Sequence, residues 1–189
     1  MNDEAKAPID FAEIIYEKPS SGAFEEVLFG SDRGNTLWVL FSEKGGGREW
    51  IGKFGCGFTT MMRVTKVAVP DHFLVVAGGA AYLVDATERQ QLNFYSEPHV
   101  QDVAYDAQNA HFISGDVCLW IIECGRKIWT SERFSVDYIT NLSVEGRTLS
   151  GTAVVDYDGK EDCFSFDLDT RKFISGPGSS DKPWWKFWV

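Results

Sequence analysis

The run Asp156-Tyr157-Asp158-Gly159-Lys160-Glu161-Asp162 gathers four carboxylates around one glycine. Hard cations such as calcium take several carboxylate oxygens at a tight turn, so metal chemistry is the first possibility to test here. The third acidic position and the distal glutamate of an EF-hand loop are missing. The pattern instead reads as a hairpin turned at Asp158-Gly159 with solvated charges beside it, and no metal is expected. His72 and His111 each stand directly before a phenylalanine, at matching places of a repeated pattern. Two imidazoles fall short of a metal site, and the next matching place holds Thr148, so both read as strand-edge residues. His99 follows Pro98 in a connecting stretch. Gly45-Gly46-Gly47-Arg48 has the composition of a phosphate cradle, but a cradle opens a helix, and Glu49-Trp50-Ile51 reads as a strand. No Ser-His-Asp or Cys-His order singles out a nucleophile. No catalytic residue and no cofactor are therefore assigned.

Internal repetition indicates which elements carry these residues. The stretches 80–92, 117–129 and 163–173 can be laid over one another. Each reads as a strand, an acidic residue at its end, a polar turn with an arginine (Arg89, Arg126, Arg171), and a second strand. Upstream, Val67-Ala68-Val69-Pro70-Asp71-His72-Phe73 matches Val103-Ala104-Tyr105 continued, after a small insertion, by Ala110-His111-Phe112; Leu142 to Leu149 supplies the same part of another unit. Gly78-Gly79, Ser114-Gly115-Asp116 and Asp158-Gly159 mark hairpins, because such residues supply the positive φ of tight turns. Along 117–122 both alternating faces are apolar, as in an inner strand buried on both sides. A first unit fits more loosely, with strands near 14–16, 26–29, 36–41 and 49–54. A short helical turn after Pro8, capped by Asp10 and Glu13, competes with its first strand. The expected fold is all-β: about four antiparallel four-stranded repeats within 1–175, then a Gly/Ser/Pro linker and aromatic tail over 176–189.

Tyr82-Leu83-Val84-Asp85-Ala86-Thr87 and Phe164-Ser165-Phe166-Asp167-Leu168-Asp169-Thr170 share a strand, an Asp at its end, a small or acidic residue and then Thr. This hairpin resembles those of β-propeller blades, especially the WD-repeat and quinoprotein-like kinds, over roughly residues 14–175. The Gly-His and Trp-Asp pairs of WD repeats are absent. The resemblance implies blades arranged in a closed ring or an open array; a two-sheet sandwich is the alternative.

The net charge of −10 disfavours nucleic acid, whose phosphates would be repelled, and suits a basic protein partner. Basic residues gather only in one stretch, at Arg33, Lys44, Arg48, Lys53, Arg63 and Lys66. Cys56, Cys118, Cys124 and Cys163 form no CxxC pair. With no leader-like start and no long apolar run, a cytoplasmic protein with reduced thiols and no membrane span is expected. The tail places Trp184, Trp185, Phe187 and Trp188 within a few residues. It reads either as a plug folding back on Trp38, Trp50 or the N-terminus, or as a partner anchor.

The functional expectation is a non-enzymatic protein-binding module. Its concrete form is an intracellular immunity protein or antitoxin covering a basic toxin domain, by analogy of class rather than by motif. Asp102, Asp106, Asp156, Asp158, Glu161 and Asp162 would supply the complementary field, with Trp184, Trp185 and Trp188 as anchor. The alternatives are a ligand-binding or enzymatic propeller of lyase or hydrolase type, with a polar pocket, and a subunit of a larger β assembly.

Overall fold

The computed structural model describes residues 8–20, 22–31, 34–43, 47–96 and 100–179. Two compact units divide the chain, Met1–Pro98 and His99–Val189. Among the described residues each unit holds two four-stranded sheets, and the only helical element is a 3-10 turn at Pro177–Ser179.

In the first unit β1 (Ile9–Ile15), β2 (Glu25–Phe29), β3 (Thr36–Glu43) and β4 (Glu49–Gly55) form a sheet in the order β1-β3-β4-β2. The helical turn considered at Asp10 and Glu13 does not form. Those residues belong to β1, where Glu13 faces Leu40 and Ile15 faces Trp38 across an antiparallel ladder. Extension there pairs the backbone and buries Ile9 completely, which one exposed helical turn could not do. The sheet also departs from a simple strand-by-strand meander. β2 lies parallel to β4, with Glu25 opposite Trp50 and Phe29 opposite Phe54.

The second sheet, β5 (Met62–Lys66), β6 (His72–Ala77), β7 (Ala80–Asp85) and β8 (Gln90–Ser96), is an antiparallel meander. β6 and β7 are buried on both faces, and Gly78 and Gly79, both at positive φ, turn the chain between them. Aromatic rings fill the core of this unit: Phe41 stacks on Trp50 at 4.4 Å and Phe29 on Phe54 at 4.8 Å. Each such buried ring contributes on the order of 2 kcal/mol of apolar burial. Trp50 is completely buried. Trp38 is met by Lys53, 5.1 Å above its ring.

The second unit repeats the meander twice. One sheet comprises β9 (Asp102–Asp106), β10 (His111–Gly115), β11 (Leu119–Glu123) and β12 (Arg126–Thr130). The other comprises β13 (Ile139–Glu145), β14 (Thr148–Val154), β15 (Glu161–Asp167) and β16 (Lys172–Ser175). Ile113, Leu119, Ile139, Leu149, Phe164 and Phe166 form its core. The hairpins from β7 to β8 and from β15 to β16 share one device. Asp85 Oδ1 accepts the amides of Thr87 and Glu88, and Asp167 Oδ1 those of Asp169 and Thr170. Arg89 (φ 57°) and Arg171 (φ 55°) then close the turns in the left-handed region. This side-chain mimicry of a turn is what the Asp and the nearby Thr of the two hairpins have in common.

The repeat alignment shifts by three residues at one place. Val67 donates to the carbonyl of His72 while Asp106 faces His111, so 64–66 matches 103–105 and no insertion is needed. Val67-Ala68-Val69 enters the hairpin rather than forming the strand. Asp71 (φ 61°) and Ala110 (φ 55°) occupy the same left-handed position just before the two histidines. Gly176 (φ 91°) turns the chain back, and the 3-10 turn packs on β15 and β16.

Candidate functional site

The acidic run forms the hairpin between β14 and β15. Asp156 Oδ1 accepts the amides of Asp158 (3.1 Å) and Lys160 (2.8 Å), and Val155 donates to the carbonyl of Lys160 at 2.8 Å. Gly159 (φ 81°) supplies the left-handed residue that the turn requires. Asp156 is thus spent on shaping the turn rather than on gathering a cation. Asp158, Glu161 and Asp162 are exposed, and Tyr157 between them is 72% exposed. Tyr138, just before β13, reaches across and donates to Glu161 Oε1 at 3.2 Å, which raises the pKa of the phenol. The result is a shaped tip carrying an aromatic ring and three carboxylates in water.

Asp102 and Asp106 do not join this tip. Both are 2% exposed and lie inside the second unit, which corrects their expected place on an acidic surface. Asp102 accepts the amide of Val103 at 2.7 Å with Oδ1 and that of Leu142 at 2.8 Å with Oδ2. The Leu142 amide is available because β13 bulges there, with Asn141 at φ 55° and the ladder shifting between Thr140 and Ser143. Asp102 therefore ties β9 to β13.

Asp106 makes the second tie. Arg147 Nη1 donates to both its oxygens at 2.8 Å, Asn109 Nδ2 to Oδ2 at 3.0 Å and the Gln108 amide to Oδ1 at 3.1 Å. Arg147 Nε reaches Asp169 Oδ1 at 2.8 Å. Burial pushes the Asp106 carboxyl up, but these donors and the Arg147 charge outweigh it and hold the group below the ordinary carboxylate value. Arg147 therefore clasps the third sheet to the fourth. A cleft of about 200 Å³ opens beside the clasp, where Asn109, His111, Asp169 and Arg171 meet Ile113 and Leu168. His111 Nε2 is 3.8 Å from Glu123 Oε1, as His72 Nε2 is 3.9 Å from Asp85 Oδ2 in the matching place of the first unit. Each histidine thus faces the acidic end of the neighbouring strand. Among the described residues no group of three or more His, Cys, Asp or Glu is placed to hold a metal ion.

Trp184, Trp185 and Trp188 lie outside the described residues, as do Gly45, Gly46 and His99. Arg147 of the clasp and Tyr157 of the tip are residues that the sequence reading did not single out. An aromatic residue between Asp156 and Asp158-Gly159 was a usable signal, because a ring at a turn tip cannot face the core.

No family model matches the sequence, and no curated protein matches it. Two solved structures are similar to it over part of their length. The WD40 β-propeller domain of Doa1 has 11% identity and a TM-score of 0.49, with 80% of this chain and 53% of that one covered. BamB from Moraxella catarrhalis has 14% identity and a TM-score of 0.45, with 89% and 56% covered. This chain spans about half the length of each. The sheets themselves define the class, an all-β protein of four-stranded, propeller-like repeats. Among the described residues no helix is long and apolar enough to cross a membrane.

Proposed function

We propose that this chain is a non-enzymatic protein-binding module that meets a basic partner through the β14–β15 hairpin. The observation that carries the reading is Tyr157, 72% exposed on a turn shaped by Asp156 and flanked by exposed Asp158, Glu161 and Asp162. Tyrosine gives large contact area at low entropic cost, and neighbouring carboxylates steer a basic surface into register. The finer form is an immunity protein or antitoxin working in the cytoplasm against a basic toxin domain. Its support is the overall acidity of the chain and analogy of class. Affinity capture from the host at low salt should retain a basic protein that is released as salt rises. The triple variant Asp158→Lys, Glu161→Lys, Asp162→Lys should lose that protein while keeping its melting temperature. Failure to retain any basic protein at low salt, or equal retention by the reversed variant, would end this reading.

The cleft beside Arg147 favours a second reading, a small polar ligand held by Asn109, His111 and Arg171. In that case Arg171→Ala would abolish ligand binding and leave capture by the hairpin unchanged.

A further inference from the structure

We propose that the cleft beside Arg147 takes a small zwitterion with an aliphatic side chain, a free α-amino acid such as leucine; this rests on the reading of that cleft as a ligand site. The cleft lies within the second unit, and its walls differ in character. Ile113, Ile121 and Leu168 are buried and give it one apolar wall. Its volume of about 200 Å³ matches roughly seven waters at ~30 Å³ each, and so a molecule of about that many non-hydrogen atoms.

The charges of the polar wall select among molecules of that size. Asp106 is already spent: Arg147 Nη1 meets both its oxygens at 2.8 Å, and Asn109 Nδ2 and the Gln108 amide add to them. Asp169 Oδ1 accepts Arg147 Nε at 2.8 Å, which leaves Oδ2 open to a donor. Arg171 lines the same cleft, and among the described residues no carboxylate pairs with its guanidinium. Asn109 gives Nδ2 to Asp106 and keeps Oδ1 as an acceptor. His111 Nε2 is turned to Glu123, 3.8 Å away. One guanidinium and one carboxylate oxygen are thus left to a ligand. An anion would satisfy Arg171 but face Asp169; a cation would satisfy Asp169 but face Arg171. A zwitterion answers both, with its carboxylate on the guanidinium fork and its ammonium toward Asp169 Oδ2 and Asn109 Oδ1. Its aliphatic side chain then covers the apolar wall, where each methylene withdrawn from water adds to affinity.

The test titrates the full chain with L-leucine to about 10 mM, a range that covers ligands of this size, and follows the His111 ring proton by NMR. A saturable shift is expected. Isocaproate lacks the ammonium, isoamylamine lacks the carboxylate, and aspartate sets a second carboxylate against the apolar wall. Each should bind at least about ten-fold more weakly than leucine. Arg171→Ala and Asp169→Asn, both at exposed residues, should each weaken leucine by a similar factor with circular dichroism unchanged. No saturable shift with leucine, equal binding of any of the three analogues, or leucine binding indifferent to either substitution would overturn the proposal. Inorganic phosphate and glucose separate it from the reading on which it rests. A shift with either of these that Arg171→Ala removes, without one from leucine, would sink the amino-acid assignment and leave a cleft for another class of polar ligand. Silence from every probe would end both.

Discussion

Replacing Arg147 by methionine keeps most of the side chain's length and removes its charge. Asp106, whose side chain is 3% exposed, then loses the two 2.8 Å bonds from Nη1 and keeps only Asn109 Nδ2 and the Gln108 amide. Removing one partner of a buried pair costs about 3–5 kcal/mol. Here Arg147 is 22% exposed and two donors remain, so the expected cost is smaller, about 2–3 kcal/mol. The bond to Asp169 adds little, because that carboxylate is 63% exposed. For a chain of this length the melting temperature should fall by about 5–10 °C at neutral pH.

The loss should also depend on pH, in a direction fixed by the Asp106 carboxyl. In the intact protein its pKa lies below the ordinary 3.8. A carboxyl depressed in the fold stabilises it at all pH above the ordinary value, and that contribution disappears as pH falls through the depressed one. In Arg147→Met burial dominates, so Asp106 takes up its proton at a higher pH than before and sheds the penalty of an uncompensated charge. The gap between the two proteins should therefore narrow on acidification into and below the ordinary carboxylate range. Adding Asp106→Asn to the variant should recover part of the loss at neutral pH. Urea or thermal unfolding followed at stepwise lower pH reads all three. An unchanged melting temperature at neutral pH, or a gap that stays constant with pH, would refute the clasp.

Two further expectations follow from the geometry. Tyr82, 2% exposed, donates to the carbonyl of Gly55 at 2.7 Å, and burial pushes its hydroxyl up to about 12, so it remains a donor at any working pH. Tyr82→Phe should cost about 1–2 kcal/mol in urea unfolding, because a buried carbonyl loses its partner; no change in midpoint would show that the bond contributes nothing net. With a thiol reagent at mildly alkaline pH, the exposed Cys124 and Cys163 should react first. Cys56 and Cys118, half-buried and with thiols that burial pushes up, should react more slowly, so four equally fast thiols would contradict the packing.

Local signals carried the repeat far. Gly78-Gly79 and Asp158-Gly159 turn hairpins where the sequence places them, with Gly78, Gly79 and Gly159 at the positive φ that a turn requires of its own residues, whereas Ser114 and Gly115 belong to β10 and neither is at positive φ. Asp85 and Asp167 were legible for the same reason, since the amides they cap lie within a few residues. What stayed hidden depends on distant partners. Nothing near Asp102 or Asp106 announces the Leu142 amide or the Arg147 guanidinium, so two acidic residues that belong inside read as surface charge. The parallel placement of β2 was equally invisible, because it is decided by β4, which follows later in the chain. The short hairpin from β5 to β6 misled for a third reason: Val67-Ala68-Val69 has the composition of a strand but lies in the turn.

The placement of β2 also bears on how the first sheet is assembled. As the polypeptide leaves the ribosome, residues 25–29 emerge well before 49–55, the one strand they pair with among the described residues. Until then Val27, Leu28 and Phe29 have no ladder to join, and an unpaired apolar edge of this kind invites contact with other chains. Slowing synthesis between these two segments should lengthen that interval and make nascent chains more dependent on chaperones.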